Sequence, residues 1–116
     1  MKKIIVVTGG AGFVGANLIK FLVKKTNLDI ISIDDYSSGY KKNHIKNKKI
    51  KYIKSHTKNI SKILIKEKNN INALFHLGEF SRIYQSFLKM NECINSNVVG
   101  TNEVFNFCFK HNIKLI

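Results

Sequence analysis

The 116 residues predict an α/β fold built on a doubly wound parallel sheet. Three observations carry that prediction. Short β-branched runs without polar alternation recur along the chain. Segments with helical spacing of apolar residues separate them. A glycine-rich loop joins the first run directly to the first helix.

Lys3 to Val7 (KIIVV) reads as a strand buried on both faces, because no polar residue interrupts it. Gly12 to Lys25 follows as an amphipathic helix, with Val14, Leu18, Phe21 and Leu22 forming its expected inner stripe. Ile30 to Ile33 (IISI) is a second buried strand, stopped by Asp34-Asp35. A polar loop from Tyr36 to Asn47 leads to Lys49–Lys54 (KIKYIK), whose alternation places it nearer an edge. Ile60, Ile63 and Leu64 mark a short helix, and Ala73 to Leu77 (ALFHL) a fourth strand. From Ser81 to about His111 the pattern is helical, broken near Asn91, with Ile94, Val98, Phe105, Cys108 and Phe109 on one face. Ile113 to Ile116 starts a fifth strand. Right-handed crossovers then give the strand order 3-2-1-4, the fifth strand just beginning and the sheet incomplete.

The chemistry concentrates in TGGAGFVG, Thr8 to Gly15. Gly9 turns the chain out of the strand, Gly12 admits close approach of a pyrophosphate, and Gly15 lets the helix pack on the strand. The helix N-terminus adds unpaired N–H groups and a partial positive charge. Ala16-Asn17 follow Gly15, so the lysine of an ATP- or GTP-type phosphate loop is missing. Asp34 follows Gly15 by 19 residues. A carboxylate there accepts both hydroxyls of an adenosine ribose and repels a 2′-phosphate, which favours NAD over NADP. The register points Asp35 the other way.

Composition tests the alternatives. The net charge is +13, but 19 of the 20 basic residues are lysine. Bidentate reading of bases and phosphates draws on arginine, so the bias argues against a nucleic-acid partner. Eleven lysines between Lys41 and Lys68 form at most a non-specific polyanion surface. Cys93 and Cys108 have no metal spacing and read as buried free thiols. The histidines His44, His56, His76 and His111 are scattered, so no metal is expected; His76 reads as packed and hydrogen-bonded. No signal peptide or membrane-spanning stretch is visible, and a cytoplasmic location is expected.

Four ordered segments are similar to those of the extended short-chain dehydrogenases, the NAD-dependent nucleotide-sugar epimerases and dehydratases of the UDP-glucose 4-epimerase type. They are TGGAGFVG, IDDYSSG (Ile33 to Gly39), LFHLGEFS (Leu74 to Ser81) and Asn97-Val98-Val99-Gly100-Thr101. The resemblance covers the whole chain and implies a Rossmann-type domain with NAD as cofactor. It implies that Gly9, Gly12, Gly15 and the amides of Phe13 and Val14 hold the pyrophosphate. Asp34, Asp35, Tyr36, Ser37, Ser38 and Gly39 would surround the adenosine ribose, and His56 and Thr57 the adenine. Leu77, Gly78 and Glu79 would pass under the nicotinamide-side ribose, and Asn97 would order the site beside it. His56-Thr57 stands where the family has Asp then Ile or Val, and Glu79 replaces a small Ala. Glu79 is then expected to point away from the pyrophosphate or to meet Arg82.

The family's catalytic Tyr lies four residues before a Lys, beyond the fifth strand. Here Tyr36, Tyr40, Tyr52 and Tyr84 are followed at that offset by Tyr40, His44, His56 and Leu88. Residues 1–116 are thus expected to be the N-terminal part of an NAD(P)-binding domain, without the catalytic and sugar-binding part and inactive alone. A nucleotide sugar would be substrate of the full-length enzyme, which the family implies to be a homodimer. The other readings are a non-catalytic nucleotide-binding half-domain or interaction module and, more weakly, a polyanion binder through Lys41 to Lys68.

Overall fold

In the computed structural model, which describes residues 2–116, five strands form one parallel sheet. They are β1 (Ile4–Thr8), β2 (Asp29–Asp34), β3 (Ile50–Lys54), β4 (Ile71–His76) and β5 (Lys114–Leu115). Their order is β3-β2-β1-β4-β5. Every neighbouring pair is parallel, with Val6 beside both Ile31 and Leu74. The helices are α1 (Phe13–Lys25), α2 (Ile60–Leu64), α3 (Ile83–Leu88), α4 (Met90–Ile94) and α5 (Thr101–Lys110). A π turn, Asn95–Gly100, joins α4 to α5.

Period-two alternation divides β1 between two cores. Ile5 and Val7 pack with Ile19 and Leu22 of α1. Val6 packs on the other face with Ile60 and Leu64 of α2 and Val104 and Phe107 of α5. This is why the strand carries no polar residue until Thr8. On the outer strand β3, Lys51 and Lys54 are exposed, and such lysines blunt an open sheet edge.

Two inner stripes differ from expectation. In α1 the buried residues are Gly15, Ala16, Ile19 and Leu22, while Val14 and Phe21 are exposed. Gly15 must sit against the carbonyl of Gly9, and that contact sets the rotation of the whole helix. In the last helical segment the buried residues are Gly100, Val104, Phe107 and Cys108; Ile94, Val98, Phe105 and Phe109 face outward. The break at Lys89 and the wider π turn shift the phase, so a 3.6-residue count through Ile94 selects the wrong face. Cys108 is buried, and burial pushes its thiol up to about 11. Cys93 is only half-buried; both thiols are free.

Candidate functional site

The strands all end at one edge of the sheet, and the chain must leave β1 at once. Gly9 does so with φ +73°. A Cβ there would lie 2.6 Å from the Leu77 carbonyl oxygen, so both the turn and the space demand glycine. Gly12 has the opposite surroundings: a Cβ would meet only the Gly9 carbonyl oxygen, at 3.4 Å. Its backbone therefore opens outward. Gly12 also caps α1 without a side-chain acceptor. The N–H groups of Phe13, Val14 and Gly15 begin the helix with no intrahelical acceptor, which suits an anion.

The β2 end is tied to this loop through Asp34. Its Oδ2 accepts the Ala11 N–H at 2.9 Å and its Oδ1 the Tyr36 N–H at 2.8 Å. Each oxygen keeps a further lone pair. The Ala11 carbonyl accepts the Tyr40 N–H at 3.0 Å and the Asn43 side-chain amide at 2.8 Å. Ala11 thus links the glycine loop to the loop after β2. Tyr36, at φ 60°, turns its hydroxyl to His44 Nε2 at 3.0 Å, and His44 stacks on Tyr52.

At the β4 end, Thr8 Oγ1 accepts the N–H groups of Leu77 and Gly78, both at 3.0 Å. Its lone pairs are then used, so its own hydrogen goes to His76 Nδ1, 2.8 Å away. That fixes the neutral His76 as the Nε2–H tautomer. Nε2 donates to Thr101 Oγ1 at 3.0 Å, and Thr101 donates to Glu79 Oε1 at 2.7 Å. The carboxylate also stands 3.4 Å from His76 Nε2. Burial lowers the His76 pKa, with Glu79 opposing it. Of the two expectations for Glu79, no bond to Arg82 forms; the partners are Thr101 and His76.

A cleft of about 330 Å³ runs along these strand ends, within the size range of ligand sites. Gly9, Gly12, Phe13, Val14, Gly15, Asp34, Asp35, Ser37, Ser38, His56, Thr57, Leu77, Gly78 and Glu79 line it together. Three sequence candidates stand outside its wall. Tyr36 turns to His44, and Gly39 packs on Ala11. Asn97 acts at one remove: its Oδ1 accepts the Phe80 N–H at 2.7 Å and its amide donates to the Phe80 carbonyl at 2.8 Å. That pair pins the segment after β4.

His56 lines the cleft with its acceptor already in use: its Nδ1 accepts the Lys58 N–H at 3.0 Å as a local cap. The ring's Nε2–H remains as a donor. Burial lowers its pKa, with Asp35 opposing. Sequence reasoning missed Ile33, Ser55, Ser81 and Ser96, which also line the cleft. Ser55 follows β3 directly and extending the strand-end rule finds it; Ser96 lies in the π turn and has no sequence signal.

The family model described as "NAD dependent epimerase/dehydratase family" matches residues 5–116. The chain belongs to that family. Among its relatives, a dTDP-D-glucose 4,6-dehydratase of Dictyostelium discoideum is 32% identical over 95% of this chain and 27% of its own length. Among solved structures, the UDP-N-acetylglucosamine 4-epimerase from Methanobrevibacter ruminantium, in complex with UDP-N-acetylmuramic acid, is similar at TM-score 0.84 and 27% identity. That match covers 99% of this chain and 37% of the other. The Thermus thermophilus UDP-glucose 4-epimerase in complex with NAD shares the fold at TM-score 0.82 and 18% identity, over 97% of this chain and 36% of that one. The chain thus spans about a third of the length of the family members it matches. Among the described residues, no helix is long and apolar enough to cross a membrane.

Proposed function

We propose that residues 1–116 are the NAD-binding portion of a nucleotide-sugar epimerase or dehydratase that works by transient hydride transfer. One observation carries the reading. The glycine loop, with the unpaired N–H groups of α1, lies in a single cleft between Asp34 on one side and Leu77-Gly78-Glu79 on the other. A dinucleotide has matching parts in the same order: ribose, pyrophosphate, ribose.

The residues fit the group. The Phe13 and Val14 amides hold the pyrophosphate, and the outward-opening Gly12 lets it approach. The remaining Asp34 lone pairs take the adenosine ribose hydroxyls, with Ser37 and Ser38 alongside. His56 and Thr57 flank the adenine; among the described residues, Thr57 Oγ1 is buried without a hydrogen-bond partner. Leu77 and Gly78 underlie the second ribose, and Asn97 steadies them through Phe80. NAD, when bound, would supply a reversible hydride acceptor for a sugar carbon, as inversion or elimination requires. No Tyr in these residues precedes a Lys by four, so the proton-transferring pair belongs to a further part of the enzyme. The exposed Ile83, Tyr84, Phe87 and Leu88 of α3, with Phe105 and Phe109 of α5, support pairing of the intact enzyme as a homodimer.

Isothermal titration of the folded chain tests the reading. NAD is expected to bind, and NADP to bind roughly tenfold or more weakly, because its 2′-phosphate meets Asp34. Absence of any NAD binding by a chain whose circular dichroism shows it folded overturns the proposal.

A further inference from the structure

We propose that Glu79 is a specificity-determining residue that accepts the hydroxyls of the ribose at the β4 side of the cleft. The inference rests on the dinucleotide reading above. It adds a second carboxylate contact, opposite Asp34, at a position where the family's small residue offers none.

Placement is the first argument. Asp34 ends β2, the glycine loop follows β1, and Glu79 follows β4, and these strands are adjacent in the order β2-β1-β4. A ligand with one ribose at Asp34 and its pyrophosphate on the loop brings its other ribose to Leu77-Gly78-Glu79. Glu79 lines the cleft, and its side chain is 42% exposed.

Chemistry is the second. A carboxylate accepts hydrogen bonds and cannot donate them, so it suits a vicinal diol. Oε1 is anchored by the Thr101 hydroxyl and lies near His76 Nε2. Among the described residues Oε2 accepts no hydrogen bond, and it remains for the ligand. The tautomer deduced for His76 makes the anchoring directional. Donation runs from Thr8 to His76, from His76 to Thr101, and from Thr101 to Glu79. Each donor aims its positive end toward the carboxylate and fixes Oε1 against Thr101.

The two possibilities for Glu79, hydroxyl acceptor or phosphate repeller, have opposite signs. Isothermal titration of the full chain with NAD, ADP-ribose and ADP separates them. ADP-ribose carries the second ribose and ADP lacks it. Glu79→Ala is expected to weaken NAD and ADP-ribose roughly tenfold while changing ADP less than about twofold. Glu79→Gln keeps an acceptor oxygen and should fall between, with circular dichroism confirming that both variants are folded. An equal change for all three ligands, or tighter ADP-ribose binding by either variant, overturns the proposal. If the folded unsubstituted chain binds none of the three, the dinucleotide reading fails first and this inference with it.

Discussion

The two ends of the cleft each present a carboxylate, but they hold it by different means. Asp34 is fixed by backbone N–H groups, from Ala11 of the glycine loop and from Tyr36 two residues on. Glu79 is fixed by side chains, through Thr101 and His76, which come from α5 and β4. Backbone donors follow from the turn itself and survive most substitutions. Side-chain donors depend on the identity, and for histidine the protonation, of residues far apart in sequence. The β2 end should therefore be robust and the β4 end adjustable.

Removing what the two ends share gives the largest expected effect. Gly15→Val drives a branched side chain into the Gly9 carbonyl, where only backbone can give way. A destabilisation of about 3 kcal/mol is expected, read from the urea midpoint, with NAD binding lost along with the loop. Next in size is Asp34→Ala, which strands the Ala11 and Tyr36 N–H groups at a part-buried site. A cost of about 1–2 kcal/mol follows, together with reduced discrimination between NAD and NADP. Unchanged stability would mean that the two backbone bonds form without consequence.

The contrast between the ends also explains what the sequence could reveal. The place of Asp34 in the cleft wall was legible because the end of β2 follows the glycine motif within one strand–helix–strand unit. The same local logic located β1, β2 and the order 3-2-1-4. The anchoring of Glu79 was not legible, since Thr8, His76 and Thr101 meet only when three separate elements pack. The outer face of α5 escaped for a related reason. Its phase is set by a π turn at Asn95–Gly100, and no periodicity announces an extra residue per turn. His56 shows the limit of transferring a role: the residue is in the cleft wall, yet its Nδ1 is committed to Lys58.

A smaller effect tests whether the β2 end is as self-sufficient as its backbone bonds suggest. Asn43→Ala deletes one bond to the Ala11 carbonyl, which still accepts from Tyr40. A loss of about 1 kcal/mol is expected in thermal or urea unfolding, with NAD affinity nearly unchanged. A tenfold loss of affinity would show that this side chain, and not the backbone, positions Asp34.

The smallest effect concerns pH and belongs to the β4 end alone. The fold favours the neutral form of His76, because a proton on Nδ1 would face the Thr8 hydrogen and break its bond. Its pKa therefore lies below the ordinary value of 6.5, burial being the main cause. Between the folded and unfolded values the unfolded chain binds more protons, so stability rises with pH there. The contribution is complete above about 6.5 and is lost as pH falls through the lowered folded value. His44, His56 and His111 are shifted in the same direction and add to the total, so the informative quantity is a difference. Unfolding midpoints of the unsubstituted chain and of His76→Gln, compared at about pH 8 and about pH 5, isolate it. The variant should start lower at the higher pH and lose less on acidification. Parallel losses would mean that His76 titrates alike in both states, and the directional chain from Thr8 to Glu79 would then have to be abandoned.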